Sequence, residues 1–99
     1  MRGGRKIFNE EKVLYFASQE QSFHVQPNEP RDSDCSRIVR HLVTRGCLEL
    51  AEEGAGGRFY SITDKGRATL LKMQIEWRRR NHKDTDAHEA ELKQIEGQL

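Results

Sequence analysis

The 99-residue sequence has few cysteines, few prolines and no long apolar run. Its two cysteines, Cys35 and Cys47, are too few for a disulfide framework, and both are predicted to be buried free thiols. No stretch approaches the roughly 18 consecutive apolar residues that a membrane-spanning helix needs. The basic start over residues 1–6 is not followed by the apolar segment of a secretion signal. We therefore expect a soluble, cytoplasmic protein with no membrane partner.

The composition also lacks a strong excess of charge of one sign, because the formal net charge is only +1. The distribution is uneven: residues 1–83 hold 16 Lys and Arg against 11 Asp and Glu, whereas residues 84–99 hold 1 against 5. The sequence thus predicts one domain over 1–83, with a basic N-terminal arm, and an acidic helix or tail over 84–99. A basic body suits a polyanionic partner, although ordinary surface charge produces the same balance.

No recognisable catalytic or metal-binding pattern is present. The glycine-rich run over 54–57 lacks the Lys and the Ser or Thr that complete a phosphate-binding loop. Cys35 and His41 are six positions apart on one predicted helix and project in different directions, so they cannot form a nucleophile–base pair. No metal-ligand spacing relates the remaining candidates, His24, Cys35, Cys47 and His82. We expect neither an enzyme nor a metal or cofactor site.

The first part of the chain is predicted to hold one helix, one short strand and one loop. A helix over 9–21 is indicated by Asn9, a good N-cap residue, and by the broad apolar face that follows it. Residues 22–25 alternate as in a short strand. Residues 26–33 contain both prolines of the chain and no helical period, which predicts a loop with at most one helical turn.

An amphipathic helix is predicted over 34–45, and Gly46 is expected to end it in the left-handed conformation. Three residues are suited to cap its start: Asp32, Ser33 and Asp34. Its apolar stripe consists of Cys35, Ile38, Val39, Leu42 and Val43. The opposite face carries Ser36, Arg37, Arg40, His41 and Thr44.

A β-hairpin over 47–63 follows, with a long, flexible glycine-rich tip at 52–57. Thr63 then caps a helix over 64–80. Gly66, in the first turn of that helix, has no side chain and allows the helix to approach the sheet closely.

The C-terminal segment is predicted to be a helical extension. Asp86 and Glu89 have the spacing of a capping box. A thin apolar seam of the coiled-coil kind runs along it through His88, Leu92, Ile95 and Leu99. Two heptads are too short to hold a helix pair alone, so the seam either supplements a dimer interface built on the preceding helix or belongs to a solvated tail.

The order of elements from Asp34 to Leu71 resembles the recognition helix, wing and following helix of winged helix-turn-helix regulators such as the MarR and PadR families. The resemblance rests on an apolar helix that ends in Arg-Gly, an apolar strand, a hairpin and a Tyr-x-Ile-Thr-x-x-Gly-x-x-x-Leu run. In this chain that run is Tyr60, Ile62, Thr63, Gly66 and Leu70. The resemblance implies a small α+β winged-helix fold with a C-terminal helical extension.

The same resemblance implies a non-enzymatic DNA-binding protein, a small prokaryotic or mobile-element transcriptional regulator that acts on duplex DNA as a homodimer. The residues that it places at the DNA are Ser36, Arg37, Arg40, His41 and Thr44 in the reading helix, Arg58 in the wing, and Lys65 and Arg67 in the next helix. The candidates for the dimer interface are Trp77, Leu92, Ile95 and Leu99.

The alternative is a winged-helix interaction module that binds another protein, such as a phage- or plasmid-encoded adaptor or inhibitor. Two departures from the family pattern favour it. The loop 26–33 occupies the place of the helix that normally braces the reading helix. Glu49, Glu52 and Glu53 make the wing acidic, and phosphate repels acidic groups.

Overall fold

Over residues 9–19 and 22–99, which the computed structural model describes, the chain forms four helices and one three-stranded antiparallel sheet. In chain order the elements are α1 (Glu10–Gln19), β1 (Phe23–Val25), α2 (Asp34–Thr44), β2 (Leu48–Gly54), β3 (Gly57–Ile62), α3 (Asp64–Arg80) and α4 (Asp86–Glu96). The predicted α+β class is confirmed. The predicted basic arm, and the end of the first helix at residues 20 and 21, lie outside the described residues. Within the described part, no helix is both long and apolar enough to cross a membrane.

Short-range capping signals determine where three of the helices begin. The side-chain oxygens of Asn9, Ser33 and Thr63 each accept a hydrogen bond from the backbone N–H three residues later, at 2.8, 3.1 and 3.0 Å. These bonds satisfy donors that the first helical turn leaves without a partner. The predicted caps at Asn9 and Thr63 are confirmed, and Ser33 is the cap of α2 among its three candidates.

The sheet has the strand order β1-β3-β2, so the short first strand pairs with the far strand of the hairpin. Phe23 on β1 lies opposite Tyr60 on β3, and both are buried. Directly opposed residues share one face of a sheet, so this face is the apolar one. Leu14 of α1 and Leu42 of α2 are fully buried in the same core cluster. The core therefore lies between the two helices and the sheet.

The hairpin is tighter than its sequence predicts. Glu52 and Glu53 pair with Phe59 and Arg58, so only residues 55 and 56 connect the strands. The prediction of a long flexible tip at 52–57 is wrong, because Glu52 and Glu53, whose charge favours a loop, continue the pairing of the two strands. A register shift between Leu50 and Glu52 absorbs one extra residue as a bulge.

Two glycines lie just before and just after the hairpin, at positions where the absence of a side chain matters. Gly46 has a φ of +81°, which confirms the predicted left-handed end of α2. A Cβ on Gly66 would lie 2.1 Å from the carbonyl oxygen of Cys47. This close approach confirms that α3 begins directly against the segment before β2. Val43, predicted in the apolar stripe of α2, is instead exposed at its edge.

The C-terminal extension is helical and packs antiparallel against α3. Ion pairs join the two helices at both ends, from Lys72 to Glu96 at 3.3 Å and from Arg79 to Glu89 at 3.1 Å. The predicted capping box is wrong in detail, because Thr85 precedes the helix and Asp86 already lies inside it. The Thr85 hydroxyl donates to the Glu89 carboxylate instead. The extension is thus a helix packed on α3 and not a solvated tail, and its part in a dimer interface stays a prediction.

Candidate nucleic-acid interface

Helix α2 presents an exposed basic face because its apolar stripe is buried against the sheet and α1. Arg37, Arg40, His41 and Thr44, which the sequence predicts on this face, are all exposed. Arg45, directly after the helix, extends the same basic surface. Exposed guanidinium and hydroxyl groups on one helical face are the donors that read base edges and phosphates in protein–DNA complexes.

Ser36 is a correction to the predicted set. It is only 5% exposed, and its hydroxyl donates to the carbonyl oxygen of Pro30 at 2.6 Å. The loop 26–33 folds back over the first turn of α2 and covers this position, which a helical projection alone does not reveal. Ser36 therefore fixes the loop on the helix and does not belong to the exposed face.

Two carboxylates of the chain, those of Asp34 and Glu10, form ion pairs with basic groups in and directly after α2. Asp34 pairs with Arg37 one turn away. Glu10 of α1 accepts from Arg45 at 3.1 Å and lies 3.4 Å from Nε2 of His41. Sequence reasoning missed Glu10, because a contact across some 30 residues leaves no local signal. Exposed ion pairs of this kind contribute roughly 0–1 kcal/mol, so a phosphate can replace them.

Two of the three acidic residues of the hairpin lie on the face of the sheet opposite to Arg58. Glu49 lies opposite Ser61, and Glu52 lies opposite Phe59, on the outer face. Arg58 lies opposite Glu53 and next to the apolar face that packs on the helices. The hairpin is therefore not uniformly acidic, since two of its three carboxylates face away from Arg58.

The structure brings Arg40 of α2 and Arg58 of β3 together around one small cavity. Arg31, from the loop before α2, lines the same cavity and was not among the predicted residues. In the sequence, Arg31 is marked only by being a basic residue directly after Pro30 in a predicted loop. Helix, loop and hairpin thus contribute one arginine each to a single basic surface.

The two predicted residues of α3 lie in different places. Lys65 is near the end of α2, since its Cδ is 3.7 Å from the position of a Cβ on Gly46. Arg67 instead lines a groove between α1, α3 and α4, together with Tyr15 and Glu91. The structure therefore joins Lys65, but not Arg67, to the basic surface around α2.

The predicted dimerisation residues are also divided. Trp77 and Leu99 are 47% and 66% exposed, and Lys83 lies over the Trp77 ring with Nζ 6.0 Å from its centre. Leu92 and Ile95 are half-buried on α4, and Leu92 lines the groove between α4 and α3. Homodimerisation stays a prediction, and Trp77 and Leu99 are the more exposed members of the set.

Neither cysteine is placed for chemistry at the surface. Cys35 and Cys47 are buried free thiols, as predicted. Burial raises the pKa of the Cys35 thiol, and the negative charge of Glu29 raises it further. Among the described residues, no three His, Cys, Asp or Glu side chains are grouped so that they can hold a metal ion.

No protein-family model matches the chain, and no curated protein or solved structure is detectably similar to it.

Proposed function

We propose that this protein is a non-enzymatic DNA-binding protein with a winged-helix fold, and that it acts as a small transcriptional regulator. The element order α1-β1-α2-β2-β3-α3 and the strand order β1-β3-β2 support the winged-helix interpretation. In this interpretation α2 is the reading helix, the hairpin is the wing, and α4 is the C-terminal extension.

One observation carries the proposal. Arg40 of α2 and Arg58 of the hairpin share one cavity, so the helix and the hairpin present positive charge side by side. A helix inserted in the major groove and a wing beside it would both need positive charge on this side, because phosphates line both edges of the groove. Arg37 is the best placed residue for a base contact, because it is exposed near the N-terminus of α2, the part of a recognition helix that contacts base edges.

The loop 26–33 supplies a brace where winged helix-turn-helix proteins have a second helix. Two of its consecutive carbonyl groups are tied to α2: Ser36 donates to Pro30, and Arg40 donates to Arg31 at 2.6 Å. These hydrogen bonds fix the loop on the first turns of the reading helix. The missing helix is therefore no obstacle to a fixed orientation of α2.

The test is binding to labelled duplex DNA from upstream of the protein's own gene, measured by fluorescence anisotropy at several salt concentrations. We expect affinity to fall steeply with salt, and to be lost on Arg37→Ala plus Arg40→Ala. Arg80→Ala plus Lys93→Ala is the matched control, since it removes the same charge from the groove between α3 and α4. Wild-type protein that does not bind this DNA at low salt, or equal losses in the two double variants, would contradict the proposal.

A second function, binding to another protein, is favoured by the exposed aromatic residues on α1 and α3. Tyr15, Phe16 and Trp77 are each nearly half exposed. Tyr15 and Trp77 line one groove of about 330 Å³ together with Glu11 and Arg78. Exposed aromatic side chains beside a polar rim are typical of protein-binding surfaces. Co-purification of a specific partner, with no binding to duplex DNA at low salt, would support this function against the first.

A further inference from the structure

Three arginines from three separate segments line the small cavity beside α2. Arg31 comes from the loop, Arg40 from the helix and Arg58 from β3. Ser36 and Tyr60 also line it, and its volume is about 50 Å³. The cavity therefore lies where the reading helix, the bracing loop and the wing meet.

The positive charge of this cavity is not neutralised by the described part of the chain. None of the side chains that line the cavity is acidic. The ion pairs formed among residues 9–19 and 22–99 use other cations, namely Arg37, His41, Arg45, Lys72 and Arg79. Glu53 is the cross-strand neighbour of Arg58 but forms no ion pair with it. Three guanidinium groups around one cavity repel one another, and an anion between them removes that repulsion.

The Arg40 side chain and the backbone of Arg31 are held in place before any ligand arrives. Arg40 Nη1 donates to the carbonyl oxygen of Arg31, which fixes the backbone that carries the Arg31 side chain. The Ser36 hydroxyl holds the preceding carbonyl, that of Pro30. A guanidinium group has five N–H donors, so Arg40 keeps four for a ligand. Less conformational freedom is then lost on binding.

The size and the donors of the cavity select the ligand. Since one water molecule takes up roughly 30 Å³ of liquid, about 50 Å³ admits one or two oxygen atoms of a phosphate group but not a nucleobase. Guanidinium groups present paired N–H donors that match phosphate oxygens. We infer that Arg31, Arg40 and Arg58 form a binding site for a single phosphate group. This inference rests on the proposed function. The group bound there is then a phosphate of the DNA backbone, held between α2 and the hairpin.

The first experiment tests the cavity without DNA. The melting temperature of the free protein is measured in inorganic phosphate and in sodium chloride of equal ionic strength. We expect phosphate to raise the melting temperature of the wild type and of the control Arg80→Gln more than that of Arg31→Gln plus Arg58→Gln. The control is needed because phosphate stabilises many folded proteins through exclusion from their surface. In chloride, the double variant is expected to melt no lower than the wild type, because it lacks two of the repelling charges. An equal response of all three proteins to phosphate overturns the inference.

The second experiment uses the duplex DNA of the proposed function. Loss of one phosphate contact lowers the slope of log affinity against log salt by about 0.9. Because the three arginines serve the same phosphate and the double variant keeps Arg40, its slope is expected to fall by at most about 0.9 and not by about 1.8. The two proposals fail separately. A phosphate response in a wild type that does not bind duplex DNA supports the cavity and contradicts the regulator. If the protein binds duplex DNA, but the double variant has the same salt slope and the same response to phosphate as the wild type, the phosphate site is contradicted and the regulator is not.

Discussion

His24 stacks face to face on Phe59, with 4.3 Å between the ring centres and 3° between the ring planes. The same imidazole donates from Nε2 to the carbonyl oxygen of Gly56 at 2.6 Å. A residue of β1 thus holds both the middle and the turn of a hairpin that begins more than 20 residues later. Isolated two-stranded hairpins are marginally stable, so this third strand gives Arg58 a fixed position.

Gly57, at the start of β3, is expected to be the position in the hairpin most sensitive to substitution. Its φ is +109°, and a Cβ there would lie 2.2 Å from the backbone oxygen of Val25. Gly57→Ala therefore adds both backbone strain and a clash with β1, and we expect a loss of about 2–4 kcal/mol in unfolding free energy. Urea denaturation followed by circular dichroism measures it.

Gly56 provides the control for Gly57. It is the adjacent residue of the turn, and a Cβ there would meet nothing within 4 Å. Gly56→Ala is expected to change the unfolding free energy by less than about 0.5 kcal/mol. Equal losses in the two variants would show that the hairpin turn does not press against β1.

The features that could be predicted from the sequence are those whose causes act over a few residues. Asn9, Thr63 and Gly46 cap or end helices through groups at most four positions away, so their types and spacing identify them. The buried stripe of α2 is likewise given by helical periodicity for Val39 and Leu42.

The errors concern residues whose environment is set by distant segments. Ser36 has the position of an exposed residue on a helical projection, but the returning loop covers it. Glu52 is a charged residue that reads as part of a loop, yet it pairs with Phe59 because β3 begins directly after a two-residue turn. Glu10 and Arg31 join the basic surface only through tertiary contacts, which no local pattern encodes.

Cys35 is expected to react slowly with alkylating reagents in the folded protein. Thiolate is the reactive form, and burial, followed by the charge of Glu29, raises the pKa of this thiol above its ordinary value of 9.0. Below the raised pKa the reaction rate should therefore be lower at each pH than for a thiol with the ordinary value, and it should level off only once the pH exceeds the raised pKa. Because the folded state keeps the proton to higher pH than the unfolded state, the stability that this thiol contributes is lost as pH rises through the raised pKa.

Mass spectrometry of iodoacetamide-treated protein across a pH series measures the reaction of Cys35. Glu29→Gln removes the smaller of the two causes and should shift the onset of alkylation to lower pH. The same protein in denaturing urea serves as the reference for a thiol without burial. Alkylation of folded protein at neutral pH as fast as in urea would show that Cys35 is accessible.

Trp77 is the residue on which the predicted homodimer can be tested most directly. Light scattering should give twice the 11.5 kDa mass of one chain for the wild type, and the mass of one chain for Trp77→Ser. Leu50→Ser is the control, because Leu50 has the same 47% exposure but lies on the hairpin. A monomeric wild type, or a dimer that Trp77→Ser leaves intact, would contradict an interface at this residue.

Glu10 is expected to limit the affinity for DNA, because its carboxylate occupies the basic groups of Arg45 and His41. Glu10→Gln frees both groups without adding bulk, and an exposed ion pair is worth roughly 0–1 kcal/mol. We therefore expect affinity for duplex DNA to rise about two- to tenfold, as measured by anisotropy at fixed salt. Glu11→Gln is the matched control: it makes the same change in net charge one position along α1, where the carboxylate forms no ion pair with the described residues. If the two variants bind equally tightly, the gain comes from net charge alone and Glu10 does not compete with DNA for α2.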